Sequence, residues 1–143
     1  MPAAKPEPVV YYWDASAVIS ALLDDEHGAE ARRRLRLAGT HLLSSLTHAE
    51  SASVLRRLVR SGDLSARQSE QAVGALDSAR WTVTEAAPER RLVRQISSRH
   101  RLFGADLWHL ALAMTMSREL PGLELVTFDR ELREAATAES LAA

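Results

Sequence analysis

No cysteine occurs in the chain. That excludes disulfides, cysteine-ligated metal sites and thiol nucleophiles, and it fits a reducing compartment. Lysine is almost as scarce: Lys5 is the only one, and every other basic side chain apart from histidine is arginine. Long apolar runs are missing as well. The longest are broken by Asp, Ser, His or Arg, so no segment reads as a membrane span. The opening MPAAKPEPVV has three prolines and one lysine, but not the basic region and long apolar region of a signal peptide. A cytoplasmic protein is expected. The net charge of −1 provides no global field for gathering a polyanion.

What is present fits one domain with a sizeable core: 143 residues, 46% hydrophobic and 26% charged. Residues 1–8 read as a tail and residues 9–143 as the domain. The arginines cluster at Arg32, Arg33, Arg34 and Arg36, at Arg56, Arg57 and Arg60, and at Arg90, Arg91 and Arg94. Guanidinium forks suit phosphate. Charge runs nevertheless read first as solvated helix faces.

Val9–Trp13 is a short β-branched and aromatic run, a buried strand by composition. Ser16 is placed to cap a helix over Ala17–Leu23, and a second helix over Gly28–Leu37 would stop at Gly39. THLLSS reads as a strand. The next helix has Thr47 as N-cap with Glu50 three residues on, a capping-box pattern, and Gly62 as its stop. Another helix spans Ser65–Ser78, WTVTE is a strand, and Pro88 opens a helix to Arg99. A long helix enters near Gly104 and ends at a Pro-Gly pair; LELVTF is a strand and DRELREAA a last helix. Strands alternating with helices predict an α/β fold, a three-layer α/β/α sandwich around a mostly parallel sheet. Ligands bind such sheets at the carboxyl ends of the strands.

Four acids gather at that edge. Asp14 directly follows the first strand, and Asp129 follows the last. Glu50 and Asp106 each stand near a helix start at the same edge. Residues four apart share a helix face, so Glu50 heads the row Val54, Leu58, and Asp106 heads the row Leu110, Met114. Either acid alone would be ascribed to compensation of the helix dipole. Four inward carboxylates at one edge are different, because they stay ionised together only beside a cation. All-oxygen ligation with retained waters suits Mg²⁺ or Mn²⁺. Such clusters serve in-line displacement at phosphorus.

Four stretches, YYWDASAVISALL, SSLTHAESASVLRRL, GADLWHLALA and LVTFDREL, occur in an order that resembles PIN-domain nucleases, most closely the VapC-type toxins of bacterial toxin–antitoxin pairs. The resemblance implies that Asp14, Glu50, Asp106 and Asp129 form the acidic quartet. Asp14, Asp106 and Asp129 would be the metal ligands, directly or through water. Glu50 would ligate a second ion or position the attacking water. Ser16 and Thr127 would be supporting hydroxyls. It further implies a Mg²⁺-dependent endoribonuclease (Mn²⁺ substituting), usually a homodimer, acting on RNA and blocked by a cognate VapB-like antitoxin whose C-terminal segment crosses the active-site groove.

Other readings compete. A haloacid-dehalogenase-like phosphatase places a second Asp two residues after the first, where this chain has Ser16. A receiver domain wants a later lysine, and there is none after Lys5. A non-catalytic RNA- or partner-binding module with the same fold is weakened by the intact quartet. Among single residues, His109 reads as a helix residue hydrogen-bonded near the core in preference to a ligand or general acid. His48 reads as a surface residue, and Trp13 and Trp108 as packing rather than base-stacking groups. Arg130 is left even between binding a phosphate or the antitoxin and facing solvent.

Overall fold

Tyr11, Tyr12 and Trp13 alternate across a strand, so their side chains go to opposite faces of whatever sheet contains them. The computed structural model, which describes residues 3–4 and 8–142, shows this outcome. Strand β1 (Val10–Trp13) lies inside a four-stranded sheet whose pairings are all parallel. Its neighbours are β2 (Thr40–Ser44) and β4 (Glu124–Val126), and β3 (Thr82–Thr84) forms the edge beyond β2. Most of the expected tail over 1–8 lies outside the described residues; of it, residues 3, 4 and 8 are exposed and belong to no helix or strand.

Tyr11 and Trp13 enter one core with Leu43 and Val126, covered by α1 (Ala15–Leu22), α2 (Gly28–Leu35) and the end of α4 (Ala66–Leu76). Tyr12 enters the other with Leu42 and Leu125. That face is covered by α5 (Arg90–Arg99), α6 (Gly104–Ser117) and α7 (Arg130–Ala138). The three layers are those expected. A smaller apolar cluster joins α3 (Ser45–Ser61) to α4 and α1 through Leu55, Leu64, Ala72 and Ile19. Among the described residues, no helix is long and apolar enough to cross a membrane.

Two helix starts differ from expectation, and both differences matter at the site. The N-cap of α1 is Asp14, whose carboxylate accepts from the Ala17 amide, and not Ser16. Aspartate competes well for that position, and the Ser16 hydroxyl is committed elsewhere. The N-cap of α3 is Ser44, accepting from the Thr47 amide, so Thr47 is inside the helix and the expected Thr47–Glu50 capping box does not form. Glu50 therefore stands in the second turn of α3. Smaller differences are the end of α2 at Leu35 and the start of α5 at Arg90, two residues past Pro88.

Gly39 is required where α2 returns to β2. Its φ is +143°, and a Cβ there would stand 2.3 Å from the Val9 carbonyl oxygen. This close approach lets Thr40 begin the β1–β2 pairing by donating to Val9. Gly62 (φ +83°) ends α3 in the left-handed conformation, as its position predicts.

Candidate active site

The parallel ladder delivers Asp14 to the carboxyl edge of the sheet, where its amide still donates to the Val126 carbonyl of β4. The side chain is only 3% exposed. One carboxylate oxygen accepts from the Ala17 amide at 2.9 Å and from Ser16 Oγ at 2.8 Å; the other accepts from Thr127 Oγ1 at 2.5 Å. Ser16 Oγ also accepts from the Phe128 amide, and Thr127 Oγ1 from the Asp129 amide. Both supporting hydroxyls thus tie the turn after β1 to the turn after β4. Burial pushes the Asp14 carboxyl above the ordinary carboxylate range, opposed by the bonds from Thr127, Ala17 and Ser16 and by the neighbouring His109.

Asp129 caps α7 through the Leu132 amide at 2.9 Å. Asp106 stands third in α6 and makes no hydrogen bond or ion pair among the described residues. Burial lifts its carboxyl from an ordinary 3.8 to about 6, helped by repulsion from Asp129, then Asp14, with Glu50 adding less. The four acids drawn from four separate stretches therefore share one electrostatic neighbourhood. No arginine pairs with any of them among the described residues.

Glu50 has a partner that sequence reasoning did not assign to it. His109 Nε2 lies 2.7 Å from Glu50 Oε1. Its Nδ1 is 2.6 Å from Tyr12 Oη, which donates to Ser44 Oγ at 2.9 Å. Thr47 continues the chain to the Trp13 carbonyl. His109 is 1% exposed and Tyr12 is fully buried. Desolvation pushes the Tyr12 phenol up to about 12, so it remains a donor. The expected reading of His109, a hydrogen-bonded residue near the core, matches its geometry. Its one sequence signal is the spacing of three from Asp106.

The remaining candidates lie elsewhere. His48 is on the surface, 3.0 Å from Asp77. Trp13 is fully buried, donates to His41 Nδ1 and meets Trp81 edge-on. Trp108 is half-buried against the core. Arg130 is 90% exposed and pairs with Glu134. Of the arginine groups, Arg33 and Arg34 pair with Glu30, and Arg32 reaches Asp24. Beside Asp129 a cleft of about 480 Å³ runs past Ser16, Ile19, His27 and Phe128. A larger groove of about 720 Å³ is lined by residues of α1, α3 and α4.

The chemistry of this donor set fits a hard divalent cation. A buried carboxylate and a second acid raised to about 6 by burial and then by like charges are both relieved by positive charge. Among the described residues, no three His, Asp or Glu side chains form a ready-made inner shell. A cation that keeps part of its own water suits this spacing better than one needing full protein ligation.

The family model of the PIN domain matches residues 11–138. No curated protein sequence matches the chain. The fold is similar to that of PAE2754 from Pyrobaculum aerophilum, with a TM-score of 0.59 at 22% identity over 89% of this chain and 84% of that one. It is similar to VapC20 of Mycobacterium tuberculosis, a sarcin–ricin loop cleaving toxin, with a TM-score of 0.59 at 19% identity over 87% and 94% of the two chains. VapBC2 from Rickettsia felis, solved with a DNA fragment from its promoter, gives 0.55 at 16% identity over 84% of this chain and 99% of that one. With the family model spanning Asp14, Glu50, Asp106 and Asp129 alike, the chain belongs to the PIN domain family.

Proposed function

We propose that this protein is a divalent-metal-dependent endoribonuclease, a VapC-like toxin held in check by a VapB-like antitoxin, with residues 9–143 as the functional domain and 1–8 as a tail. The observation that carries this reading is the shared neighbourhood of Asp14, Asp106, Asp129 and Glu50, uncompensated by any arginine. The similarity in fold to VapC20, a sarcin–ricin loop cleaving toxin, agrees with it.

In this reading Asp14, Asp106 and Asp129 would hold Mg²⁺ or Mn²⁺. Ser16 and Thr127 fix the two oxygens of Asp14, so that the carboxylate would be held in place for a cation. The bound ion supplies charge stabilisation at the attacked phosphate and a more acidic water. Glu50 would accept a hydrogen bond from the attacking water and orient it for in-line displacement at phosphorus, and the proton this water loses as its oxygen bonds to phosphorus would pass to solvent. The P–O bond opposite breaks, and the leaving oxygen takes up a proton from solvent. The cleft beside Asp129 and the groove along α1 give extended partners room to approach, RNA at the first and an antitoxin segment at the second. A homodimer is the assembly expected.

The test is cleavage of single-stranded RNA by purified protein with Mg²⁺, with EDTA, and with Asp14→Asn. Cleavage that needs the metal and is lost in the variant supports the reading. Cleavage indifferent to both refutes it. Specific RNA binding without cleavage at millimolar Mn²⁺ would replace it with a binding module.

A further inference from the structure

Proton counting along the buried chain behind Glu50 gives that chain a direction. The Trp13 carbonyl can only accept, so Thr47 donates to it at 2.9 Å. Thr47 has a single hydroxyl proton, so across the 3.1 Å contact Ser44 is the donor. Ser44 has then spent its own proton, and it accepts from Tyr12 at 2.9 Å. Tyr12 has none left for the ring beside it, so His109 Nδ1 donates across 2.6 Å. At the far side, Nε2 faces Glu50 Oε1 at 2.7 Å, which requires one more proton between them. Whichever atom carries it, Glu50 and His109 together are neutral.

Every group behind Glu50 is locked. Tyr12, Ser44 and Thr47 are fully buried, and His109 is 1% exposed. The chain starts on β1, passes through the cap of α3 and ends on α6, so three elements set the position of one nitrogen. Glu50 is by contrast a long side chain, 32% exposed, with no other ion pair among the described residues. Left alone, it would sample several rotamers.

We propose that His109 is a positioning residue for Glu50, with the one-way chain from the Trp13 carbonyl through Thr47, Ser44 and Tyr12 clamping Oε1 and leaving Oε2 for the site. The clamp also means that the acids present the charge of three carboxylates to a cation rather than four. This rests on the reading in which Glu50 orients the attacking water. It adds a residue to the machinery that makes no contact with substrate.

The first test needs neither metal nor activity. Long-range ¹H–¹⁵N correlation spectra of the wild-type protein should show a protonated His109 Nδ1, and Tyr12→Phe should perturb that signal. An Nδ1 without a proton overturns the proposal. The second test is Mn²⁺-dependent RNA cleavage. His109→Leu should lower kcat by about 30-fold or more with KM within about twofold. His109→Gln, which offers an N–H near the Nε2 position, should recover most of that loss without a change in melting temperature. The double variant with Glu50→Gln should be no slower than the slower single variant. Losses that multiply in the double variant, or a His109→Leu kcat within about twofold of wild type, overturn the clamp. If wild-type protein cleaves no RNA, the functional reading fails, and the spectrum alone decides the clamp.

Discussion

Thr127 Oγ1 donates to Asp14 Oδ2 at 2.5 Å, joining residues 113 positions apart. The same hydroxyl accepts from the Asp129 amide, so one side chain fixes the acid after β1 and the backbone at the acid after β4. Thr127→Val keeps the shape and removes the donor. Oδ2 of a buried carboxylate then has no hydrogen bond, at a cost of about 1–3 kcal/mol. Mn²⁺ affinity by calorimetry should fall about 10-fold or more, and Thr127→Ser should restore it. Unchanged affinity in the valine variant would show that Thr127 does not support a metal centre.

Asp106 offers the cleanest charge test, because it has no hydrogen bond to lose among the described residues. Asp106→Asn removes repulsion with Asp129 and Asp14. In metal-free protein at neutral pH it should stabilise the fold by about 1 kcal/mol, discounted for the partial exposure of the group. The same variant should abolish cleavage. Thermal melts in EDTA give the first result and the nuclease assay the second. A destabilised Asp106→Asn protein contradicts the charge reading.

The sign of the pH dependence follows from the same group. Its folded value of about 6 exceeds its ordinary 3.8, so between those values the folded chain binds more protons than the unfolded one. Stability contributed by Asp106 is present below about 4 and lost as pH rises through about 6. Asp14 shifts in the same direction. Glu30, lowered to about 2 by Arg33, acts oppositely, but only as pH falls below about 4.5. Metal-free protein should therefore melt lower at pH 7 than at pH 5. Added Mn²⁺ should reverse this at pH 7, by about 2.7 kcal/mol at a hundred times its Kd.

Two glycines should respond in opposite ways. Gly39→Ala drives a Cβ to 2.3 Å from the Val9 carbonyl in a backbone region alanine avoids. It should cost about 2 kcal/mol or more by denaturant titration. Gly74 lies within α4 with open space around its Cα, so Gly74→Ala should add about 0.5–1 kcal/mol. Equal effects would mean that the turn before β2 is not held as described.

The fold was legible where one residue pattern decides one outcome. The aromatic run of β1, the Gly62 stop and the alternation of strands with helices each forced a local choice, and the expected edge for the four acids followed from the order of those elements. Helix starts were less legible, because Asp14 and Ser16, or Ser44 and Thr47, are near-equal caps in sequence. What separates them is the third partner each finds in space, such as Phe128 for Ser16 and the Trp13 carbonyl for Thr47. The clamp behind Glu50 was not legible at all. Tyr12 and His109 are 97 residues apart, and a tyrosine within an apolar run looks like packing.

Strand β1 has one further consequence. Tyr12 points to one face of the sheet, and two residues later, just past the end of the strand, Asp14 stands beside Thr127. A slip of β1 by a single residue against β4 would turn Tyr12 into the opposite core and carry Asp14 past its hydroxyl partner. Both halves of the site would fail in one step. Register therefore acts as the quality check on the chemistry: a misthreaded chain has no weakened centre, because it has no centre.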